Sequence, residues 1–178
     1  MKSLKAPLIG IDRHRLTTDG DGITTLVAFH GCPLRCAYCI NSQCFKEKPI
    51  GSITIKALLN RLMPDNLYFL ATGGGVTFGG GEPLLYSDFI ALFAQQMPKK
   101  WNVTIETSLN VPIRNLMDIA HYVKLFVVDI KDMKTDIYKR YTGKDNSNVM
   151  SNLKWRADHG YSSKVLIRIP LIRCFNST

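Results

Sequence analysis

Cys32, Cys36 and Cys39 stand in a C-x3-C-x2-C spacing, with Tyr38 just before the last thiol. Three thiolates within eight residues of one loop can hold three corners of a cubane iron–sulfur cluster, which leaves the fourth iron open to a substrate or cofactor. A structural zinc site normally takes four ligands, and Cys44 can supply the fourth, so ligand counting leaves both metals open. Two further groupings have chemical character. The run Gly79-Gly80-Gly81-Glu82 lacks the Lys and the Ser or Thr of a phosphate-binding loop. It suits a backbone that approaches a ligand closely, with Glu82 placed to receive something cationic. Asp129 and Lys131, two residues apart at a strand end, put opposite charges on one strand face, as a charged site or as a local ion pair.

Those residues need elements to position them. Ile23–Phe29 is β-branched and apolar, as a buried strand should be. Further strands are predicted over 75–78, 102–107, 124–130 and 164–172. Helices are predicted over 54–63, 87–97 with Ser87 as N-cap, 112–122, 135–141 and 147–159. Five strands alternating with helices predict a single α/β domain over 1–178, built on a parallel sheet of right-handed units. Chemistry in such folds collects at the carboxyl ends of the strands. The cysteine loop, the glycine run, Glu106-Thr107-Ser108 and Asp129-Ile130-Lys131 follow the first four strands, and Arg168 lies in the fifth. One rim is therefore expected to carry them all.

Composition narrows the setting. The 178 residues are 46% hydrophobic and 21% charged, enough apolar surface to offset the entropy of ordering. No run approaches the length of a membrane span, and the basic start Met1-Lys2-Ser3-Leu4-Lys5 has no apolar stretch behind it. A soluble cytoplasmic protein is expected, with no membrane partner. Five cysteines, an odd number with four gathered between 32 and 44, argue against a secreted disulfide framework. The net charge of +9 is spread out; Lys99-Lys100 and Lys139-Arg140 are its densest points. It reads as a solvated basic face or a docking face for an acidic partner, and no nucleic-acid motif accompanies it. His14, His30, His121 and His159 have no motif context, and Trp101 and Trp155 read as packing.

The cysteine loop, continued as Gly31-Cys32-Pro33-Leu34-Arg35-Cys36-Ala37-Tyr38-Cys39-Ile40-Asn41, resembles the signature of radical S-adenosylmethionine (SAM) enzymes. Thr18-Asp19-Gly20-Asp21-Gly22, Gly73 to Leu84, Glu106-Thr107-Ser108, Val128-Asp129-Ile130-Lys131 and Ile167-Arg168-Ile169-Pro170 extend the likeness over about residues 16–172. Together they are similar to the activating enzymes of glycyl-radical enzymes. The resemblance implies a partial (β/α) TIM-like barrel of about five parallel strands, with its last units missing. It implies one [4Fe-4S] cluster on Cys32, Cys36 and Cys39, with SAM on the fourth iron. Tyr38 would lie beside the adenine, and Gly80, Gly81 and Glu82 would meet the methionine amino group. Lys131, counted with the cysteines as catalytic, and Arg168 would face the methionine carboxylate; Met133 belongs to the same SAM-binding set. Glu106, Thr107 and Asp129 match positions around a monovalent cation.

The implied reaction is reductive cleavage of SAM to a 5′-deoxyadenosyl radical, which takes a hydrogen from a glycine Cα of a partner glycyl-radical enzyme such as pyruvate formate-lyase. A flavodoxin or ferredoxin would supply the electron. Other expectations of the sequence are a radical SAM enzyme acting on another peptide or small molecule, and a non-catalytic metal-binding protein or truncated pseudo-enzyme. Three departures from the family pattern stand out. Glu106 replaces the usual Asp, Arg173-Cys174 stands where Pro-Gly is typical, and the chain stops at Thr178, soon after the Ile169-Pro170 strand. An open sheet edge is expected there. With no second cysteine-rich segment, Cys44 is expected to be an ordinary loop thiol.

Overall fold

The computed structural model describes residues 4–46, 48–173 and 176; Cys174 lies outside the described residues. The chain starts with two strands, β1 (Lys5–Leu16) and β2 (Ile23–Phe29). The cysteine loop leads to a single turn of helix, α1 (Gln43–Lys46), and a short strand, β3 (Gly51–Thr54). Two helices follow, α2 (Ile55–Leu62) and α3 (Asn66–Thr72), then β4 (Gly75–Gly80) and α4 (Ser87–Gln96). The chain continues through β5 (Asn102–Thr107), α5 (Ile113–Met117), β6 (Leu125–Asp129), α6 (Thr135–Thr142), α7 (Ser147–Asp158) and β7 (Val165–Arg168).

Local chemistry sets these boundaries. Thr54 caps α2, its Oγ1 accepting from the Ala57 N–H at 3.2 Å. Ile55, Leu58 and Leu62 then fall on one buried face. Gly73 and Gly143 end α3 and α6 in the left-handed conformation that glycine adopts without strain. The predicted helix over 112–122 is α-helical only over five residues. Its apolar spacing is real, since Leu116, Ile119, Ala120 and Val123 are all buried, but beyond Met117 the chain winds as turns. Ser87 lies inside α4, where Tyr86 takes the cap position expected for Ser87.

Among the described residues, seven strands share one open sheet, in the order β3-β1-β2-β4-β5-β6-β7. The five strands expected from the sequence, β2, β4, β5, β6 and β7, run parallel. Two more, β1 and β3, were not in that expectation; β1 pairs antiparallel with both β2 and β3. β7 is also shorter than the predicted 164–172. One face of the sheet carries the core. Val27, Phe29, Val76, Phe78, Val103, Ile105, Phe126 and Val128 pack there against Leu58, Leu62, Phe69, Phe89, Phe93 and Leu116. Phe29 and Phe78 stack at 5.4 Å, and Phe93 meets Phe78 edge-on at 5.3 Å. By the two-residue alternation of strands, Thr77, Gly79, Glu106 and Asp129 belong to the opposite, inner face. Among the described residues no helix is long and apolar enough to cross a membrane.

Candidate active site

The carboxyl ends of β2, β4, β5 and β6 bring the cysteine loop, the glycine run and two polar loops to one rim. The cysteine loop is fixed by its backbone. Gly31 N–H donates to Cys44 O at 2.9 Å, Arg35 N–H to Thr142 O at 2.8 Å and Ala37 N–H to Tyr141 O at 3.0 Å. The loop is thus clamped onto the end of α6, and the Arg35 guanidinium caps the Cys32 carbonyl at 2.7 Å. Cys32, Cys36 and Cys39 are half-buried, whereas Cys44 is sealed beneath them. Burial pushes the Cys32 thiol up to about 12, and Glu82 adds to the effect. Burial also raises Cys36, where the Lys131 cation opposes it. Cys44 is raised to about 11, first by burial and then by Cys39 beside it. The donor set of the loop is therefore three accessible thiols with a fourth turned inward. Tyr38 lies exposed at the rim, its ring nearly parallel to Tyr141 at 6.2 Å.

The glycine run crosses directly under this loop. Gly81 N–H donates to Phe29 O and Glu82 N–H to Gly31 O, each at 2.8 Å. A Cβ on Gly81 would lie 2.1 Å from the Gly31 carbonyl oxygen, so only glycine fits there. Asn41 Nδ2 reaches the Gly80 carbonyl at 3.0 Å, tying the far end of the cysteine loop to the same run.

The Glu82 carboxylate is turned into the protein. Glu82 is 1% exposed, and both its oxygens are occupied from within the protein. Oε1 accepts from Thr107 Oγ1 at 2.6 Å and Leu84 N–H at 3.2 Å; Oε2 accepts from Ser108 N–H at 3.0 Å and Ser108 Oγ at 2.7 Å. Four donors fill the lone pairs of a carboxylate. Burial nonetheless raises its pKa, with the Thr107 and Ser108 hydrogen bonds opposing the rise. What the run offers to the rim is backbone.

Thr107 belongs to the same internal network. Adjacent strand residues face opposite ways, so Thr107 turns from Glu106 toward Glu82, and its Oγ1 also accepts from Leu109 N–H at 2.9 Å. Leu109 has φ of 56°, a left-handed conformation uncommon outside glycine. Asn152 Nδ2 holds it by donating to the Leu109 and Val111 carbonyls at 2.8 and 2.9 Å. Ser108, which the sequence places on the rim, is thus a structural member of the site, together with Asn110 and Asn152, which sequence reasoning missed. The polar run Thr107-Ser108, followed by Asn110 directly after a buried strand, was the signal for Asn110; Asn152, in α7, had none.

On the inner wall, Arg168 reaches across two strands. Its Nε donates to Asp129 Oδ1 at 2.9 Å and its Nη1 to Glu106 Oε1 at 3.0 Å. Lys131 Nζ lies 3.4 Å from Asp129 Oδ2. Burial and then Asp19 raise Glu106, against the pull of Arg168 and Arg15. The Arg168 guanidinium is held above its ordinary value by Asp129 and Glu106, despite its partial burial. Met133 is exposed.

A family model described as the radical SAM superfamily matches residues 26–176. The chain belongs to the radical SAM superfamily. Membership implies a [4Fe-4S] cluster and SAM as its cofactors, and three accessible thiols on one loop are a donor set that suits the cluster. The chain is 34% identical over 143 residues to a pyruvate formate-lyase-activating enzyme of Staphylococcus aureus (strain USA300), covering 76% of this chain and 57% of that protein. The same figures hold for the protein of strain COL. The chain therefore spans a little over half the length of these curated relatives. A domain of pyruvate-formate lyase-activating enzyme from Bacteroides vulgatus superposes with a TM-score of 0.51 at 27% identity, over 58% of this chain and 63% of that one. A structure of TYW1 with a lysine-pyruvate adduct bound gives 0.55 over 86% of this chain and 57% of that one; at 16% identity it shares the fold alone. The sheet is accordingly the open, partial barrel of this superfamily.

Proposed function

We propose that this chain carries the catalytic core of a glycyl-radical-enzyme activating enzyme that works on a pyruvate formate-lyase-like partner. The observation that carries the reading is the meeting of three accessible thiols, Cys32, Cys36 and Cys39, with the Lys131 and Arg168 cations on one rim. Cys32, Cys36 and Cys39 would hold the cluster, which would supply the electron for cleavage of the SAM C5′–S bond to methionine and a 5′-deoxyadenosyl radical, and that radical would take a hydrogen from a glycine Cα of the partner.

The protein's own part is binding and orientation. The three thiols would release their protons to solvent on ligating the cluster as thiolates, and burial, which raises Cys32 and Cys36, keeps the empty loop in the thiol form. The backbone of Gly80 and Gly81 lines the place of the methionine amino group, and Glu82 acts behind it by bracing Thr107 and Ser108. Lys131 and Arg168 face the methionine carboxylate, while Tyr38 offers an exposed ring to the adenine. The basic surface suits docking of the partner, and a flavodoxin or ferredoxin suits the role of reductant in the cytoplasm.

The test is anaerobic reconstitution with iron and sulfide, reduction, addition of SAM and assay for 5′-deoxyadenosine. Product that disappears in Cys36→Ala is the expected result. A protein that takes up zinc but no iron would overturn the reading.

A further inference from the structure

Six charged side chains follow one another along the inner wall. Arg15 Nη2 lies 2.7 Å from Asp19 Oδ1, a charge contact without aligned hydrogen-bond geometry. Both act on Glu106. Glu106 and Asp129 share the Arg168 guanidinium, and Lys131 closes the row on Asp129. Three cations face three carboxylates, so the row is balanced by the chain's own charges.

The register explains the bridging. Asp129 and Arg168 are direct partners in the β6–β7 pair, so their side chains share a face. Glu106 pairs with Val127, and Val127 with Leu166, so Arg168 stands two residues beyond the level of Glu106. The extra methylene of glutamate closes that offset. An aspartate at 106 would be shorter by one C–C bond, about 1.5 Å, which takes the 3.0 Å contact out of hydrogen-bond range. Room for the longer side chain comes from Gly79 on the neighbouring strand. A Cβ there would lie 2.9 Å from Glu106 Oε2 and 3.4 Å from Glu106 Cβ. Gly79, Glu106 and Arg168 therefore fit as a set.

This set does not suit the monovalent cation for which the resemblance named Glu106, Thr107 and Asp129. Both carboxylates are engaged by a guanidinium, and the Thr107 hydroxyl is turned to Glu82. An ion placed between the carboxylates would meet a like charge at contact distance. We propose that the Arg168 guanidinium is the resident cation between Glu106 and Asp129, that Glu106 is the residue positioning it, and that the chain binds SAM without a monovalent metal. The proposal rests on the SAM reading above. Two of the five guanidinium N–H groups remain outside these contacts and are open to the methionine carboxylate.

The experiment measures rubidium uptake by the reconstituted full chain in equilibrium dialysis, with and without SAM. Alongside it, SAM affinity is measured in potassium and in choline chloride at equal ionic strength. No bound rubidium and an affinity equal within about twofold in the two salts are expected. Glu106→Asp, which withdraws the carboxylate from Arg168, is expected to take up rubidium and to bind SAM about tenfold more tightly in potassium than in choline. Arg168→Gln, with the guanidinium removed, is the second variant and is also expected to take up rubidium. One equivalent of rubidium on the unsubstituted protein overturns the proposal, as does a tenfold loss of SAM affinity in choline. So do variants that both remain free of rubidium. Failure to bind SAM in every salt sinks the SAM reading instead, and rubidium uptake by the unsubstituted protein still decides the cation question.

Discussion

Glu82 poses a contest that two substitutions can decide. Its carboxylate accepts two backbone N–H groups, from Leu84 and Ser108, and two hydroxyls, from Thr107 and Ser108. Glu82→Ala removes the acceptor from all four. The hydroxyls can turn to other partners, but the two N–H groups cannot, and each buried unpaired donor costs about 1–3 kcal/mol. With some relief from entering water, a loss of roughly 3 kcal/mol follows, which lowers Tm by about 6–12 °C for a chain of this size. Glu82→Gln isolates the charge. Burial raises the folded carboxyl above its unfolded value, so the folded state holds the proton more tightly. That contribution is fully present below the ordinary Glu value of about 4.3 and is lost as pH rises through the folded value. Thermal melts across this range should therefore show wild type ahead of Glu82→Gln on the acid side, with the gap closing as pH rises. A gap that widens with pH would mean that the four hydrogen bonds outweigh burial, and the account of Glu82 given above would be wrong. An alanine variant melting within about 1 °C of wild type would refute the brace itself.

Three further outcomes follow from the same geometry. Cys44→Ala should leave the iron content after reconstitution unchanged while Cys36→Ala abolishes it; iron lost equally from both would make Cys44 a ligand. Gly81→Ala drives a methyl group to 2.1 Å from the Gly31 carbonyl and should cost about 3 kcal/mol or more, read as a lowered midpoint in urea; an unchanged midpoint would mean that the loop can shift freely. Arg156 is 1% exposed, its guanidinium lies 4.0 Å from the Phe126 ring, and its Nε and Nη1 have no hydrogen-bond partner among the described residues. Burial depresses its pKa to about 10. Arg156→Met should therefore fall within about 1 kcal/mol of wild type, and Arg156→Ala should cost about 3 kcal/mol through the cavity. Equal losses in the two would show that the charge, rather than the volume, matters.

What the sequence made legible, and what it hid, divides along one physical line. The parallel strands and the cysteine loop are encoded locally: Ile23–Phe29 is a buried apolar run, and the thiol spacing lies within one loop. β1 is not encoded in that way. It carries Pro7, Gly10 and a polar stretch from Asp12 to Arg15, its register with β2 shifts twice, and His14 has φ of 58°. No alternation survives such irregularity, so a strand of twelve residues reads as loop. The side-chain roles at the rim were hidden for another reason. That Glu82 faces inward to Thr107 and Ser108 follows from pairings 25 and 26 residues apart, and that Glu106 meets Arg168 follows from a register spanning 62. Spacing within a motif identifies which residues gather at the rim; whether each points to a ligand or to a neighbouring side chain depends on strand register, which no motif states. The Asp-to-Glu departure at 106 was visible in the sequence, but its meaning needed the two-residue offset between β5 and β7 and the space left by Gly79. A single methylene becomes informative once the distance it has to cover is known.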